Sequence, residues 1–99
     1  MIVFDVREYL DIAGRSPFAK WHAAAKVATA LERIADGNLS NVGAVGGGVL
    51  ECKVAFGPGY RIYFGRDGDR LVILLAGGTK NRRQNDIRRA NVNYRNGKT

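Results

Sequence analysis

Residues 49–76 set three apolar segments in a row, separated by turn signals too short to hold a helix. In 49–56, Leu50, Cys52, Val54 and Phe56 alternate with Glu51, Lys53 and Ala55. Gly57-Pro58-Gly59 reverses the chain, after which Tyr60, Ile62 and Phe64 alternate with Arg61 and Tyr63. Asp67-Gly68 is a strong two-residue hairpin signal. Alternation at period two marks a strand with one dry face. Residues 71–76 are apolar on both faces, which suits a central strand. Such a chain must build an antiparallel meander, and the meander needs a helical layer to cover it.

The first half supplies that layer. Residues 2–6 are β-branched and apolar enough for a strand, and residues 7–13 suit a short helix with Leu10 and Ala13 inward, stopped by Gly14. Ser16-Pro17 is a good helix start. From there Trp21, Ala24, Val27, Ala28, Leu31, Ile34 and Ala35 recur at helical spacing until Gly37-Asn38. His22, Lys26, Thr29 and Arg33 fall on the wet side of that helix. Residues 42–48 are Gly-rich and suit a loop, and residues 80–95 carry a weak helical stripe of Ile87, Ala90 and Tyr94. The expected fold is α+β: a helical hairpin packed on a small, mainly antiparallel four-stranded sheet, in the order β-α-α-β-β-β-α. With 99 residues, one domain over 1–99 and one modest core are expected.

Composition narrows the functional classes. No apolar run approaches the roughly 18 residues needed to span a bilayer, so no membrane role is expected. The single Cys52 cannot form an internal disulfide, and a reducing cytoplasm is the expected location. The formal charge is +7 and unevenly spread: residues 1–50 hold five basic and five acidic groups, residues 51–99 eleven and four. Residues 79–99 set seven basic groups against Asp86. Clustered Lys and Arg are rewarded on a phosphate backbone by counterion release, so a polyanion partner is expected beside the plainer reading of a solvated basic tail.

A register follows if residues 57–59 are the first loop and Asp67-Gly68 the second turn. Lys53 then lies opposite Tyr63, and Arg61 lies between Ala55 and Leu74. Glu51, Lys53, Arg61 and Tyr63 share one open sheet face, with Lys80 leaving the next strand at the Arg61 end. A one-residue slip would break the group.

The wording of two segments is more specific than their spacing. Gly57 to Phe64 reads Gly-Pro-Gly-Tyr-Arg-Ile-Tyr-Phe, and residues 77–80 read Gly-Gly-Thr-Lys. Over roughly residues 2–90 the chain resembles the RelE/ParE superfamily of bacterial toxins, in particular the addiction module killer protein group. Where that group has Asp before the lysine and Gln three residues after it, this chain has Thr79 and Arg83, with Gln84 one place later. The resemblance implies the superfamily fold and an endoribonuclease that cuts mRNA on the ribosome. It needs neither metal nor other cofactor and drives the ribose 2′-OH onto the adjacent phosphate. Such a reaction needs a base, positive charge for the phosphorane and an acid for the leaving oxygen. Arg61 matches the family's strand arginine and would grip the phosphate. Lys80 matches the lysine after the Gly-Gly pair and would supply charge or the acid. Lys53, crowded by cations, is a candidate base, and Glu51 is the rival base. Tyr63 would stack on a base, with Arg82, Arg83, Arg88 and Arg89 as further RNA contacts.

The implied partners are mRNA on the ribosome and a cognate antitoxin of helix-turn-helix type, through which alone operator DNA would be bound. A ParE-type toxin that traps DNA gyrase, or a basic RNA-binding module without toxicity, are the competing readings. Each site residue also has a plainer role: Arg61 paired with a surface acid, Glu51 as partner of Lys53, Lys80 at a helix start, Tyr63 in sheet packing. His22 lies far from the cluster and receives no role, and Cys52 suits a small apolar filler. No zinc or calcium spacing is present. Gly46-Gly47-Gly48 lacks the Lys-Ser/Thr and helix of a phosphate loop.

Overall fold

A computed structural model describes residues 3–21, 25–54 and 59–97. Strand β1 (Asp5–Glu8) is followed by a 3-10 turn (Ala19–Trp21) and helix α1 (Ala25–Ala35). Strands β2 (Val42–Gly46), β3 (Val49–Val54), β4 (Tyr60–Asp67) and β5 (Leu71–Thr79) come next. A second 3-10 turn (Lys80–Arg82) leads into helix α2 (Arg83–Gly97). The sheet has five strands in the order β1-β5-β4-β3-β2. β1 runs parallel to β5 and the other neighbours are antiparallel. The fold is therefore α+β on a mixed sheet, and β5 is central as its two-sided apolarity requires.

Two expectations change. The fifth strand is β2, in the segment expected as a Gly-rich loop. Its Val42 pairs with Cys52 and its Ala44 with Leu50, so the exposed edge of β3 recruits a segment whose own β propensity is low. The expected helix over residues 7–13 is absent. Tyr9 continues the strand by donating its N–H to the Leu74 carbonyl at 2.9 Å. Asp11 then takes the backbone N–H groups of Ala13 and Arg15, both at 2.9 Å. An aspartate that satisfies nearby amides in this way favours a turn over a helix. Between β1 and β2, where a helical hairpin is expected, the described residues give one 3-10 turn and one helix. The expected strand residue Ile2, His22 and the Gly57-Pro58 turn lie outside the described residues.

Helix α1 buries Val27 and Ile34, with Ala30 and Leu31 half-buried between them, the i, i+3, i+4, i+7 stripe of an amphipathic helix. It ends where Gly37 takes φ 83°, with Gly37 N–H donating to Ile34 and Asn38 N–H to Arg33. These two bonds are a Schellman cap, for which glycine is the least costly residue. Below α1, Phe18, Ile62, Phe64, Val72 and Leu74 form a core almost without exposure. Each such side chain contributes about 1.5–3 kcal/mol by leaving water.

Helix α2 covers the opposite face with Ala90 and Tyr94, against Val49, Tyr63, Leu75 and Ala76. It sits close because the sheet offers it no side chain at Gly65: a Cβ there would lie 2.2 Å from the Tyr94 ring. Tyr94 donates its hydroxyl to the Arg66 carbonyl at 2.6 Å, and the Asn93 amide donates to the Leu75 carbonyl at 3.0 Å. Among the described residues no helix is long and apolar enough to cross a membrane.

Candidate functional site

The register sets Lys53 opposite Arg61 and Arg61 opposite Gly78, with Glu51, Tyr63 and Ala76 forming the next row. Thr79 pairs with Tyr60, so Lys80 leaves β5 at the Arg61 end, its N–H donating to the Gly59 carbonyl at 3.0 Å. The expected pairing of Lys53 with Tyr63 is off by two residues. The expected contact of Arg61 with Leu74 is off by four, because residues 68–70 form the turn and a bulge intervenes at Tyr63/Phe64. Even shifts preserve the face on which a side chain stands. Glu51, Lys53, Arg61 and Tyr63 do share one face.

That face is not open. Helix α2 and the turn before it close over the β4 end, and the Arg61 side chain keeps 13% of its surface in water. Its Nε is buried without a hydrogen-bond partner, and its nearest ion-pair contact is Glu51 at 3.9 Å. Lys53 and Lys80 are exposed.

Glu51 organises the site. Its carboxylate is 3% exposed and receives the Tyr63 hydroxyl at 2.9 Å. The Arg83 guanidinium grips it as a fork, Nε to Oε2 at 2.9 Å and Nη2 to Oε1 at 3.2 Å. Burial pushes the Glu51 carboxyl up, but the hydrogen bonds from Arg83 and Tyr63 and the charges of Arg83 and Arg61 outweigh it. The group is held below its usual range. A carboxylate so stabilised is a poor base, so Glu51 is withdrawn as the rival base. Tyr63 is fully buried, and burial together with Glu51 drives its hydroxyl well above the ordinary tyrosine range. It has no free ring face for a nucleobase, and its expected stacking role is withdrawn. Arg83, expected among the RNA contacts, spends its fork on Glu51.

Arg82, Arg88 and Arg89 are exposed. Arg88 donates to the Asn85 side chain. Arg82 and Arg89 stand with Lys20 around Asp86, in a cleft of about 120 Å³ at the Gly77-Gly78 segment of β5. Asp86 is buried at 4% exposure, with its Oδ2 unpartnered. Burial raises its carboxyl, and the charges of Arg82, Arg89 and Lys20 pull it partly back. It packs where a Cβ on Gly78 would come within 1.9 Å of Oδ2. Sequence reading notes Asp86 without giving it a role and does not foresee the Glu51–Arg83 pair. The available signal is that Asp86 is the lone acid among seven basic groups of residues 79–99.

Three cations thus gather at one end of the sheet: Lys53 and Lys80 in water and Arg61 beneath α2, with Glu51 and Arg83 bracing the floor. The arrangement presents two exposed ammonium groups beside a largely buried guanidinium of fixed charge. Over 70 residues the chain is 36% identical to a protein of Haemophilus influenzae described only as an uncharacterized protein, an alignment covering 71% of each chain. No family model matches the chain, and no solved structure does.

Proposed function

This chain belongs to one family with that Haemophilus influenzae protein, and we propose that it is the toxin of a toxin–antitoxin pair, a RelE-like ribosome-dependent endoribonuclease of the cytoplasm. The observation that carries the reading is the row Lys53–Arg61, with Lys80 beyond it at the same sheet end. Arg61 holds the scissile phosphate and its developing charge. Lys53 takes the proton of the 2′-OH as the O2′–P bond forms, and Lys80 returns a proton to the 5′-oxygen as the P–O5′ bond breaks. The products are a 2′,3′-cyclic phosphate and a free 5′-hydroxyl. Glu51 and Arg83 act by positioning, since neither has a free charge to offer. The silencing partner is an antitoxin that covers the basic half of the chain.

Arg61→Ala is expected to abolish growth arrest and to slow cleavage by two to three decades, the loss of about 3–4 kcal/mol of transition-state stabilisation. Primer extension on mRNA from cells expressing the chain reads this directly. Near wild-type cleavage by a folded Arg61→Ala protein would overturn the assignment. The shielding of Arg61 beneath α2 favours a second reading, a ParE-type toxin that binds gyrase and cuts nothing. In that case a supercoiling assay is inhibited while the mRNA stays intact.

A further inference from the structure

Two polar groups at one end of β5 are buried with nothing to bond. The Asp86 side chain is 4% exposed, and its Oδ2 has no hydrogen-bond partner among the described residues. The Trp21 indole Nε1–H is likewise buried and unpartnered. Buried polar groups are costly to leave unmatched, and each such group calls for an explanation. Both residues line the cleft of about 120 Å³ at Gly77-Gly78.

The strand itself opens this cleft. β1 pairs with β5 over Leu71 to Leu74, and Tyr9 adds a last bond to the Leu74 carbonyl. Beyond that point, among the described residues, β5 has β4 on one side and no strand on the other. Lys80 N–H donates to Gly59, and backbone groups alternate along an antiparallel pair. Gly77 and Thr79 therefore turn their N–H and C=O groups toward the open edge. Trp21 sits over Gly77 and Asp86 over Gly78, each where a Cβ would run into Nε1 or Oδ2. Neighbouring residues of a strand present opposite faces, so the two unmatched groups flank the edge from its two sides. A single water reaches one of them; a flat ligand laid along the edge reaches both. The rim is cationic. Lys20, Arg82 and Arg89 line the cleft, and all three charges act on the Asp86 carboxyl. The ion pairs among the described residues use none of them.

A ligand for this cleft must donate to a carboxylate, accept from an indole N–H and carry negative charge for the rim. A nucleotide meets all three demands, whereas a lysine or arginine side chain would be repelled by the rim. Guanine sets two donors side by side, N1–H and the N2 amino group, next to the O6 acceptor. Adenine and cytosine place an acceptor ring nitrogen beside their one amino group, and uracil has one donor between two carbonyls. We infer that the cleft reads guanine: Asp86 accepts from N1–H and the amino group, the Trp21 indole donates to O6, and Lys20, Arg82 and Arg89 take the phosphate. The cleft is small against the roughly 300–1,000 Å³ of drug-sized ligand sites, so the base enters and the sugar and phosphate stay at the cationic rim. Gly78 pairs with Arg61, so the bound base lies one strand spacing, about 5 Å, from the Lys53–Arg61 row. The ligand chemistry is shared by a free guanine mononucleotide and by a guanosine of single-stranded RNA. In RNA, Asp86 would set the sequence preference of the proposed cleavage, a role that rests on the toxin reading; the binding itself does not.

The chain has one tryptophan, so a single indole N–H signal reports the cleft directly. The test is an NMR titration of the 15N-labelled full chain with 5′-GMP, 5′-AMP, inorganic phosphate and the RNA tetranucleotide UUGU, repeated for Asp86→Asn and Arg89→Ala. GMP should move the Trp21 indole and the amides of residues 77–79 and 86, and bind about ten-fold or more tightly than AMP. Asp86→Asn replaces one accepting oxygen by an N–H2 donor. It should weaken GMP and favour xanthosine 5′-monophosphate, whose base has a carbonyl where guanine has the amino group. Arg89→Ala, at an exposed helix position, should weaken both nucleotides alike. UUGU binding more tightly than GMP and also moving residues 60–61 identifies RNA as the source, whereas equal affinities identify a free nucleotide. AMP or inorganic phosphate moving the indole as strongly as GMP would overturn the guanine assignment. So would shifts confined to other residues, or an Asp86→Asn protein with undiminished affinity for GMP. Cleavage of mRNA without any guanine response at the cleft sinks this site and spares the toxin reading. A guanine response without cleavage does the reverse.

Discussion

Under α1 the sheet buries Ile62, Phe64, Val72 and Leu74 against Phe18, Val27 and Ile34; under α2 it buries Glu51 and Tyr63 beside Val49 and Ala76. The α1 side is held mainly by apolar area, which is non-directional and tolerant of shape-preserving exchange. The α2 side relies on hydrogen bonds that each need a partner at a set place: Tyr63 and Arg83 to Glu51, Asn93 to Leu75, Tyr94 to Arg66. Such bonds contribute modestly when made and cost more when one partner is lost. The difference teaches where stability and chemistry are divided in this molecule. One face packs mainly apolar side chains, and the other adds to its apolar cluster a buried carboxylate that fixes the Arg83 guanidinium.

The comparison can be broken hardest at Phe64. Phe64→Ala leaves a cavity in the apolar core and should cost about 3–5 kcal/mol, read as a fall in the urea midpoint. A loss below that of any α2-face variant would deny the α1 side its larger share. On the other face, Gly65→Ala drives a Cβ into the Tyr94 ring and should cost about 1–3 kcal/mol by overpacking. The matching readout is faster hydrogen exchange along α2. Unchanged exchange there would mean that Tyr94 does not fasten the helix.

Smaller effects sharpen the contrast. Glu51→Gln keeps the shape but turns one of the two accepting oxygens into an amide donor that faces the Arg83 or Tyr63 donors, a loss of about 1–3 kcal/mol. Because folding lowers the Glu51 carboxyl, its contribution is full at neutral pH and fades as the pH drops through and below the ordinary carboxylate range. Wild type and Glu51→Gln should therefore draw together in melting temperature as the pH falls below the ordinary carboxylate range, and a constant gap would contradict the ion-pair account. Asp86 has the opposite sign. Its carboxyl is raised by burial, so the charged form carries a penalty at pH 7 that disappears on acidification. Asp86→Asn should melt slightly higher than wild type at pH 7 and equally at pH 3. A lower melting point at pH 7 would show that the charge is needed, for instance at the start of α2.

Much of the sheet is legible in the chain, and the reason is parity. Alternation assigns Glu51, Lys53, Arg61 and Tyr63 to one face, and slips of two or four residues leave that assignment intact while moving every cross-strand partner. The turn lengths that decide the partners are not legible. Asp67-Gly68 promises two residues, and the chain uses residues 68–70. The covering of the site by α2 is hidden for a different reason. Its stripe of Ile87, Ala90 and Tyr94 is thin, and the helix also buries Asp86 and Asn93, which count against burial in any apolar pattern.

The parallel pairing of β1 with β5 has a consequence in time. During synthesis β1 emerges before the other described strands, yet among the described residues its sheet neighbour is β5, the last of the five to be made. At about 5–20 residues per second, the growing chain spends seconds with Phe4, Phe18 and α1 lacking Val72 and Leu74 to pack against. Long-range pairings of this kind form late because the loop must close before any contact rewards it. Lys80 and α2 follow β5, so the cation cluster cannot assemble on a nascent chain until β5 and the residues after it have been made. If the chain is the toxin proposed above, no copy can act until the ribosome making it has passed the codons of β5 and α2.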